Sequence, residues 1–449
     1  MPLAIALIVL VVGSLLFHFL SPWTFTPIAS NWGMIDTTVD ITFVVTGIVF
    51  VAVNLFMAYA IIRYRYKEGA TAKYEPENKK LEIWLTVLTT LGVAAMLTPG
   101  LFVWAKFVNV PENAMEIEAV GQQWKWSFRL PGKDGEFGTT DAKLFSVENP
   151  FGIVLDDPNG NDDILIDDAI AHIPLGQPVL FWLRSKDVLH NFTVAQFRVK
   201  MDLVPGLESY MWLEPTKVGK YEVLCEELCG IAHHSMRGWV VVDEPADYEA
   251  WLGSQPTFAS IQARPPGDPE RGQASYALCS ACHGSQGEGL AALNAPKLSG
   301  QDPDYLKRQL RNYQLGRRGI HEDDVYGKQM APMAAMLSDE TVMDNVIAYI
   351  GTLPDTPAPA TVDGDVTRGA KLYALCANCH GDDGLGIQMN APRQAGISDW
   401  YLLNQLKNFK KGLRGHHPED LGGKQMRFMA QTLQDDQAMR DVVAYINTL

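Results

Sequence analysis

The pattern of apolar and polar positions changes character three times along the chain. Residues 40–62, DITFVVTGIVFVAVNLFMAYAII, and 83–105, IWLTVLTTLGVAAMLTPGLFVWA, are apolar runs long enough to cross a hydrocarbon core of about 30 Å. The connection between them carries Arg63, Arg65, Lys67, Lys73, Lys79 and Lys80. By the positive-inside rule that connection is cytoplasmic, so everything after residue 106 lies in the outer, periplasmic-type compartment. Residues 3–20 are also apolar, with no basic stretch before them and no small-residue cleavage site ahead of SPWTFTP. A retained third helix is expected there, a signal peptide being the alternative.

From 115 to 243 the pattern shortens to alternating segments separated by Gly, Pro, Asn and Asp: MEIEAVGQQWKWSFRL, PVLFWLRS, NFTVAQF, SYMWLEP, KYEVLCE and GWVVVDEP. This predicts a β-sandwich or barrel. The acidic stretch 156–168, DDPNGNDDILIDD, reads as an exposed, solvated loop and does not match an EF-hand. Proline-rich breaks, RPPGDPERG near 265 and PDTPAPATVDGD at 354–365, bracket an internal repeat. RGQASYALCSACHG returns as RGAKLYALCANCHG, YLKRQLRNYQLGRRG as YLLNQLKNFKKGLRG, and GKQMAPM as GKQMRFM, which implies two copies of one helical domain. The expected architecture is a multidomain membrane protein: transmembrane helices in 1–110, an all-β domain over 111–250, and two all-α domains over 265–354 and 363–449.

Composition narrows the function. A formal charge of -15 argues against a nucleic-acid partner and fits either a soluble surface or attraction to a basic protein. The six cysteines fall into three close pairs, which points to cofactor attachment more than to a disulfide framework. Two of the pairs, Cys279 with Cys282 and Cys376 with Cys379, stand in C-x-x-C-H, the pattern of covalent haem c attachment. The adjacent His283 and His380 would be the proximal ligands. A sixth ligand further along, methionine or histidine, has aligned candidates in Met330 with Met426 and Met333 with Met429; Met336 is opposed by Thr432. His321, His416 and His417 read better as part of an exposed Gly-Arg-rich loop. The repeats resemble cytochrome c domains of the c4 and c5 type, class I folds, and that resemblance selects Met330 and Met426. Met333 and Met429 would then be packing residues.

The third pair sits in CEELCGIAHHSM, residues 225–236. Cys225, Cys229, His233 and Met236 combine thiolate, imidazole and thioether, a donor set that selects copper. Two thiolates can bridge two copper ions, each also needing one histidine and one weak axial donor; the second histidine must come from elsewhere, and His190 in SKDVLHNFTV is the natural donor. A zinc site or a disulfide is the alternative, though either leaves the methionine unexplained. DVLHNFTV, FRVKMDLVPG, CEELCGIAHHSM and GQQWKWSF are similar to the matching segments of cytochrome c oxidase subunit II, a family with a transmembrane hairpin and a Greek-key cupredoxin domain holding the binuclear CuA centre. The resemblance implies a caa-type subunit II with two cytochrome c domains.

That resemblance implies bridging by Cys225 and Cys229, one copper each for His190 and His233, and axial donation by Met236 and the Glu227 carbonyl. It implies that the Glu227 carboxylate reaches a magnesium ion shared with subunit I, and that Trp124 receives electrons from a bound cytochrome c. Glu82, in E-x-x-W, would mark the mouth of a proton channel, although Leu88 stands where the family often has proline. The implied partners are subunit I, subunit III, and a periplasmic cytochrome c or another respiratory complex as donor, in the bacterial inner membrane. The expected role is to wire electrons through two haems c and CuA to an oxygen-reducing, proton-pumping site in subunit I, with no catalytic residue of its own. Two other readings stay open: the input subunit of a CuA-type nitric oxide reductase, and a membrane-tethered dihaem shuttle.

Overall fold

In the computed structural model, which describes residues 1–449 apart from 22–24, 72, 73, 75, 147, 148, 167 and 387–390, the N-terminal apolar runs form α1 (Pro2–Leu20), α2 (Gly33–Arg63) and α3 (Lys79–Val108). Lys73 lies outside the described residues. The most apolar 18-residue windows of the three helices reach mean hydropathies of 2.7, 2.4 and 1.7. A helix satisfies its backbone internally, which lipid demands. The polar side chains in α2 follow the same logic: Thr42 donates to the Thr38 carbonyl at 2.9 Å and Asn54 to the Phe50 carbonyl at 2.8 Å. Packing of α1 on α2 buries Ala4 and Val11.

The segment that leads into α2 ties the membrane helices to the β-domain. Trp32 is fully buried and donates its indole N–H to the Trp212 carbonyl at 2.9 Å. Ser30 bridges to Pro215, and Arg198 binds the Asp36 carboxylate at 2.6 Å. From the other end, Trp212 donates to the Phe107 carbonyl at the end of α3. The β-domain is thus fixed to both long helices by buried contacts.

Among the described residues, ten strands form two five-stranded sheets: β1 (Met115–Gln122), β2 (Lys125–Leu130), β3 (Ile164–Ile166), β4 (Ile170–Pro174), β5 (Val179–Ser185), β6 (His190–Thr193), β7 (Lys200–Leu203), β8 (Ser209–Leu213), β9 (Gly219–Cys225) and β10 (Arg237–Asp243). Their spatial orders are β3-β2-β1-β5-β8 and β4-β10-β9-β6-β7. The parallel pairs β1–β5 and β10–β4 join chain segments far apart in sequence. Ile117, Trp126, Phe128, Phe181, Phe192 and Val240 fill the space between the sheets. Sequence alternation had missed β3, β4 and β7, which are short and lie at or near sheet edges.

Within the acidic stretch 156–168, Asp156 and Asp168 are exposed as expected, and Asp163 is not. Asp163 is fully buried and accepts from Arg129 at 2.9 Å, while Arg129 also binds Glu118 at 2.6 Å. Burial pushes the Asp163 carboxyl up to about 7 against the pull of Arg129. A folded pKa above the unfolded one favours the protonated form in the fold. The associated stability is therefore full below the unfolded value of 3.8 and lost as the pH rises through about 7. Thermal unfolding of the β-domain is expected to shift downward across that window, and Asp163→Asn to flatten the shift; a wild-type transition that rises there would refute the assignment.

After α4 (Pro245–Ser254) and α5 (Phe258–Gln262), the repeat folds twice. The first copy is α6 (Pro269–His283), α7 (Pro303–Gln314), α8 (Val325–Ala335) and α9 (Glu340–Thr352). The second is α10 (Val366–Tyr373), α11 (Ala377–His380), α12 (Asp399–Lys411), α13 (Leu421–Thr432) and α14 (Asp436–Ile446). Aspartates cap the helices of the first copy, Asp268, Asp302, Asp324 and Asp339 each accepting a backbone N–H. The first and last helices of each copy cross at a glycine. A Cβ on Gly272 would lie 1.9 Å from the Asn345 carbonyl oxygen, and one on Gly369 would lie 2.0 Å from that of Asp441. No larger residue permits that approach.

Candidate metal centres

Strand β9 ends at Cys225 and β6 begins at His190, two neighbours in the same sheet. The loop from 226 to 236 then folds back over the sheet end, with a short turn at His233–Ser235. This brings together six donors, four from the loop and one from each of two strand ends. The Cys225 and Cys229 sulfurs are 3.7 Å apart, too far for a disulfide. His190 Nδ1 lies 3.9 Å from Cys225 Sγ, and His233 Nδ1 lies 3.4 Å from Cys229 Sγ. Met236 Sδ is 3.9 Å from Cys229 Sγ, and the Glu227 carbonyl oxygen is 3.3 Å from Cys225 Sγ. The donor atoms of His190, Cys225 and Cys229 all fall within 4.8 Å of one another.

The donor chemistry fits a pair of soft ions. A closed tetrahedral zinc needs four ligands and leaves the thioether and the carbonyl without a role, whereas a thiolate-bridged pair of coppers uses all six. Without a cation between them the two thiols cannot both ionise. The hydrogen bond from Cys229 holds the Cys225 thiol well below the ordinary thiol range, and the neighbouring Cys225 pushes Cys229 up. Sequence reasoning missed Asp187, whose carboxylate meets His190 Nε2 at 2.8 Å. It fixes the ring so that Nδ1 faces the sulfurs, a common support for a ligating histidine. A carboxylate three residues before the histidine was the available signal.

Trp124 is 7% exposed, and its indole N–H donates to the Cys229 carbonyl at 3.1 Å. Gln123 donates to the same oxygen at 2.7 Å. Glu227 is half-buried beside the exposed Leu228, and Glu82 occupies the first turn of α3.

In the repeats, Cys279 with Cys282 and Cys376 with Cys379 lie one helical turn apart, followed by His283 and His380 at the ends of α6 and α11. His283 Nδ1 is held by the Pro296 carbonyl at 2.8 Å and His380 Nδ1 by that of Pro392 at 2.9 Å. Burial lowers both imidazoles, His380 to about 4, so each is kept neutral. His380 Nε2 is buried with no hydrogen-bond partner among the described residues. An orphaned, neutral ring nitrogen beside two thiols suits a haem iron. Met330 and Met426 occupy matching half-buried positions on α8 and α13; Met333 is 37% exposed and Met429 half-buried.

In the Gly-Arg loops His416 is exposed as expected, but the arginines turn inward. Arg414 is 8% exposed and donates to Tyr305 Oη at 3.0 Å and to Gln309 at 2.9 Å. Its counterpart Arg318 donates to Tyr401 Oη at 3.1 Å and to the same Gln309 at 2.7 Å. Both Nε atoms are buried without partners, and neither guanidinium makes an ion pair among the described residues. Buried Arg414 and half-buried Arg318 share Gln309, and cations held in this way call for anions, a class to which the carboxylates of haem belong. His321 and His416 meet edge to face at 5.3 Å on the rim of this junction.

Comparison with known proteins agrees with this chemistry. The family profile for cytochrome c oxidase subunit II, periplasmic domain, matches residues 115–244. The cytochrome c profile matches twice, over 269–354 and 366–449. The alternative cytochrome c oxidase subunit 2 of Bradyrhizobium diazoefficiens is 56% identical over 264 residues, spanning 59% of this chain and 95% of that protein. Cytochrome c oxidase subunit 2 of Cereibacter sphaeroides is 26% identical over 235 residues, spanning 51% and 77%. Reduced cytochrome c4 from Pseudomonas stutzeri superposes with a TM-score of 0.33 at 29% identity, over 41% of this chain and 99% of that one. The chain therefore belongs to the cytochrome c oxidase subunit 2 family, the electron-transfer subunits of haem–copper oxidases, and carries two cytochrome c domains behind its copper domain.

Proposed function

We propose that this subunit takes electrons from a periplasmic cytochrome c or another respiratory complex and delivers them to subunit I of a proton-pumping terminal oxidase in the bacterial inner membrane. When bound, haem c and the copper pair each take up and release one electron with little change in geometry. The observation that carries the reading is the convergence of six soft and weak donors around Cys225 and Cys229.

Each residue has a distinct task in this reading. Cys225 and Cys229 would bridge the copper pair, His190 and His233 would hold one copper each, and Met236 and the Glu227 carbonyl would be the weak donors. Asp187 orients His190. His283 with Met330 and His380 with Met426 would ligate the two haems, which Cys279, Cys282, Cys376 and Cys379 would anchor covalently. The Glu227 carboxylate reaches outward to a magnesium ion held with subunit I. Trp124 is the aromatic through which electrons come to the copper loop, and Glu82 is the mouth of a proton channel on the cytoplasmic side. Subunit III completes the assembly.

The test uses the full chain in detergent, because the segment around Trp32 packs into the copper domain. Two coppers and two haems c per chain, with a seven-line copper hyperfine pattern, are expected. One ordinary copper signal, or zinc in place of copper, would sink the CuA assignment and leave a dihaem shuttle.

A further inference from the structure

The two cytochrome c copies are alike in sequence yet differently placed. Helix α13 of the second copy lies on the copper loop, against the turn at His233–Ser235. Gln425 donates its side-chain amide to the Trp124 carbonyl at 2.6 Å, and Trp124 donates in turn to the Cys229 carbonyl. Phe428 meets the His234 ring at a centroid distance of 3.6 Å. Glu419 pairs with Lys220 of β9. Cys379 and Leu421 pack against the copper domain's own core.

The matching positions of the first copy are open. Val325 is 56% exposed where Leu421 is half-buried, and Lys328 and Gln329 are exposed where Lys424 and Gln425 are half-buried. Cys282 is exposed, whereas its counterpart Cys379 rests on the copper domain. The repeat also differs where contact is made: Phe428 stands opposite Pro332. An aromatic is retained on the docked face and absent from the free one.

Resting on the oxidase reading above, we infer that the second cytochrome c domain is the fixed, immediate electron donor to the copper loop, and that an external redox protein meets the first domain at its Cys282 edge. Two short connections join the second domain to the copper ligands. One runs from the Gln425–Met426 backbone through two hydrogen bonds and Trp124 to Cys229. The other runs from Phe428 through His234 to the adjacent His233. Each transfer moves one electron from a reduced centre to an oxidised one, with no bond made or broken. Trp124, covered by α13, then receives its electron from within the chain.

The experiment compares Phe428→Glu with Pro332→Glu in the full-length, metal- and haem-loaded protein, reduced by a flash from a flavin photoreductant. Phe428→Glu removes the ring that meets His234 and puts a carboxylate against the copper loop. It is expected to slow the later reduction of the near-infrared copper band by roughly tenfold or more, leaving the haem phase unchanged. Pro332→Glu is expected to leave the copper phase at the wild-type rate. Carbodiimide treatment of the unaltered protein should join Lys220 to Glu419, and an added soluble cytochrome c should cross-link to the first domain. The inference is overturned by the reverse pattern of the two variants, by copper reduced ahead of both haems, or by cross-links from Lys220 only to first-domain carboxylates. Failure of the oxidase reading would show separately, as a wild-type protein lacking the seven-line copper signal.

Discussion

Replacing Cys229 by serine is expected to abolish the seven-line copper signal and to cut oxygen reduction by the assembled oxidase by at least about a hundredfold. The six donors do not share their work equally. Cys229 sits 3.7 Å from Cys225, 3.4 Å from His233 Nδ1 and 3.9 Å from Met236 Sδ, so three of the other donors converge on its sulfur. A serine hydroxyl is harder, stays protonated and cannot bridge two soft ions. Its loss leaves a site with one thiolate, which can support a single copper at most. The variant should keep its fold, since Cys229 is one small residue in a loop whose carbonyl still accepts from Gln123 and Trp124. Both haems should remain, because their thioether cysteines lie in other domains. Asp187→Asn gives a graded comparison: the His190 ring keeps a hydrogen-bonding neighbour but loses its charged one, so copper affinity should fall by ~10-fold or more with the seven-line pattern kept. Copper titration followed by paramagnetic resonance reads both. A Cys229→Ser protein with an unchanged spectrum would remove the bridging role.

Much of this was legible in the sequence because ligand chemistry is local. C-x-x-C-H and CEELCGIAHHSM carry their donors within a few residues, so spacing alone narrows the metal. His190 was legible for a different reason: a thiolate pair with one local histidine needs a second, and a strand edge is a place that can supply it. What spacing cannot express is contact between distant segments. Asp163 looked like one more charge in an acidic turn, yet Arg129, 34 residues away, draws it into the interior. Arg318 and Arg414 looked like surface charges in glycine-rich loops, and only the meeting of the two repeats buries them against Tyr401 and Tyr305. His234 stands next to the ligand His233 in sequence, and only the seating of α13 brings Phe428 onto its ring. In each case the missing information is the identity of the element packed across, which depends on the tertiary arrangement and not on the local pattern.

Met426→Leu is expected to lower the midpoint potential of one haem by on the order of 100 mV or more, whereas Met429→Leu leaves it nearly unchanged. A thioether stabilises ferrous over ferric iron, and leucine offers no donor, so water or hydroxide would take the position and favour the ferric state. The two methionines are three residues apart on α13, close enough to share a face, and both are half-buried; burial does not separate them. What separates them is the resemblance of the repeats to cytochrome c domains of the c4 and c5 type, which selects Met426. Leu is close in volume to Met, so packing cost stays below about 1.5 kcal/mol and a change in potential is a ligand effect. The same pair of substitutions at Met330 and Met333 should shift the other haem, and spectroelectrochemical titration resolves the two if their potentials differ. Loss of potential in Met429→Leu with Met426→Leu unaffected would exchange the roles of the two methionines. The second haem is the more telling of the two, because its domain is seated on the copper loop. A fall in its potential makes it a stronger reductant of copper but a poorer acceptor from the first domain. Electron delivery from the first domain should then slow while the final step to copper does not, a split that a purely structural role for Met426 would not produce.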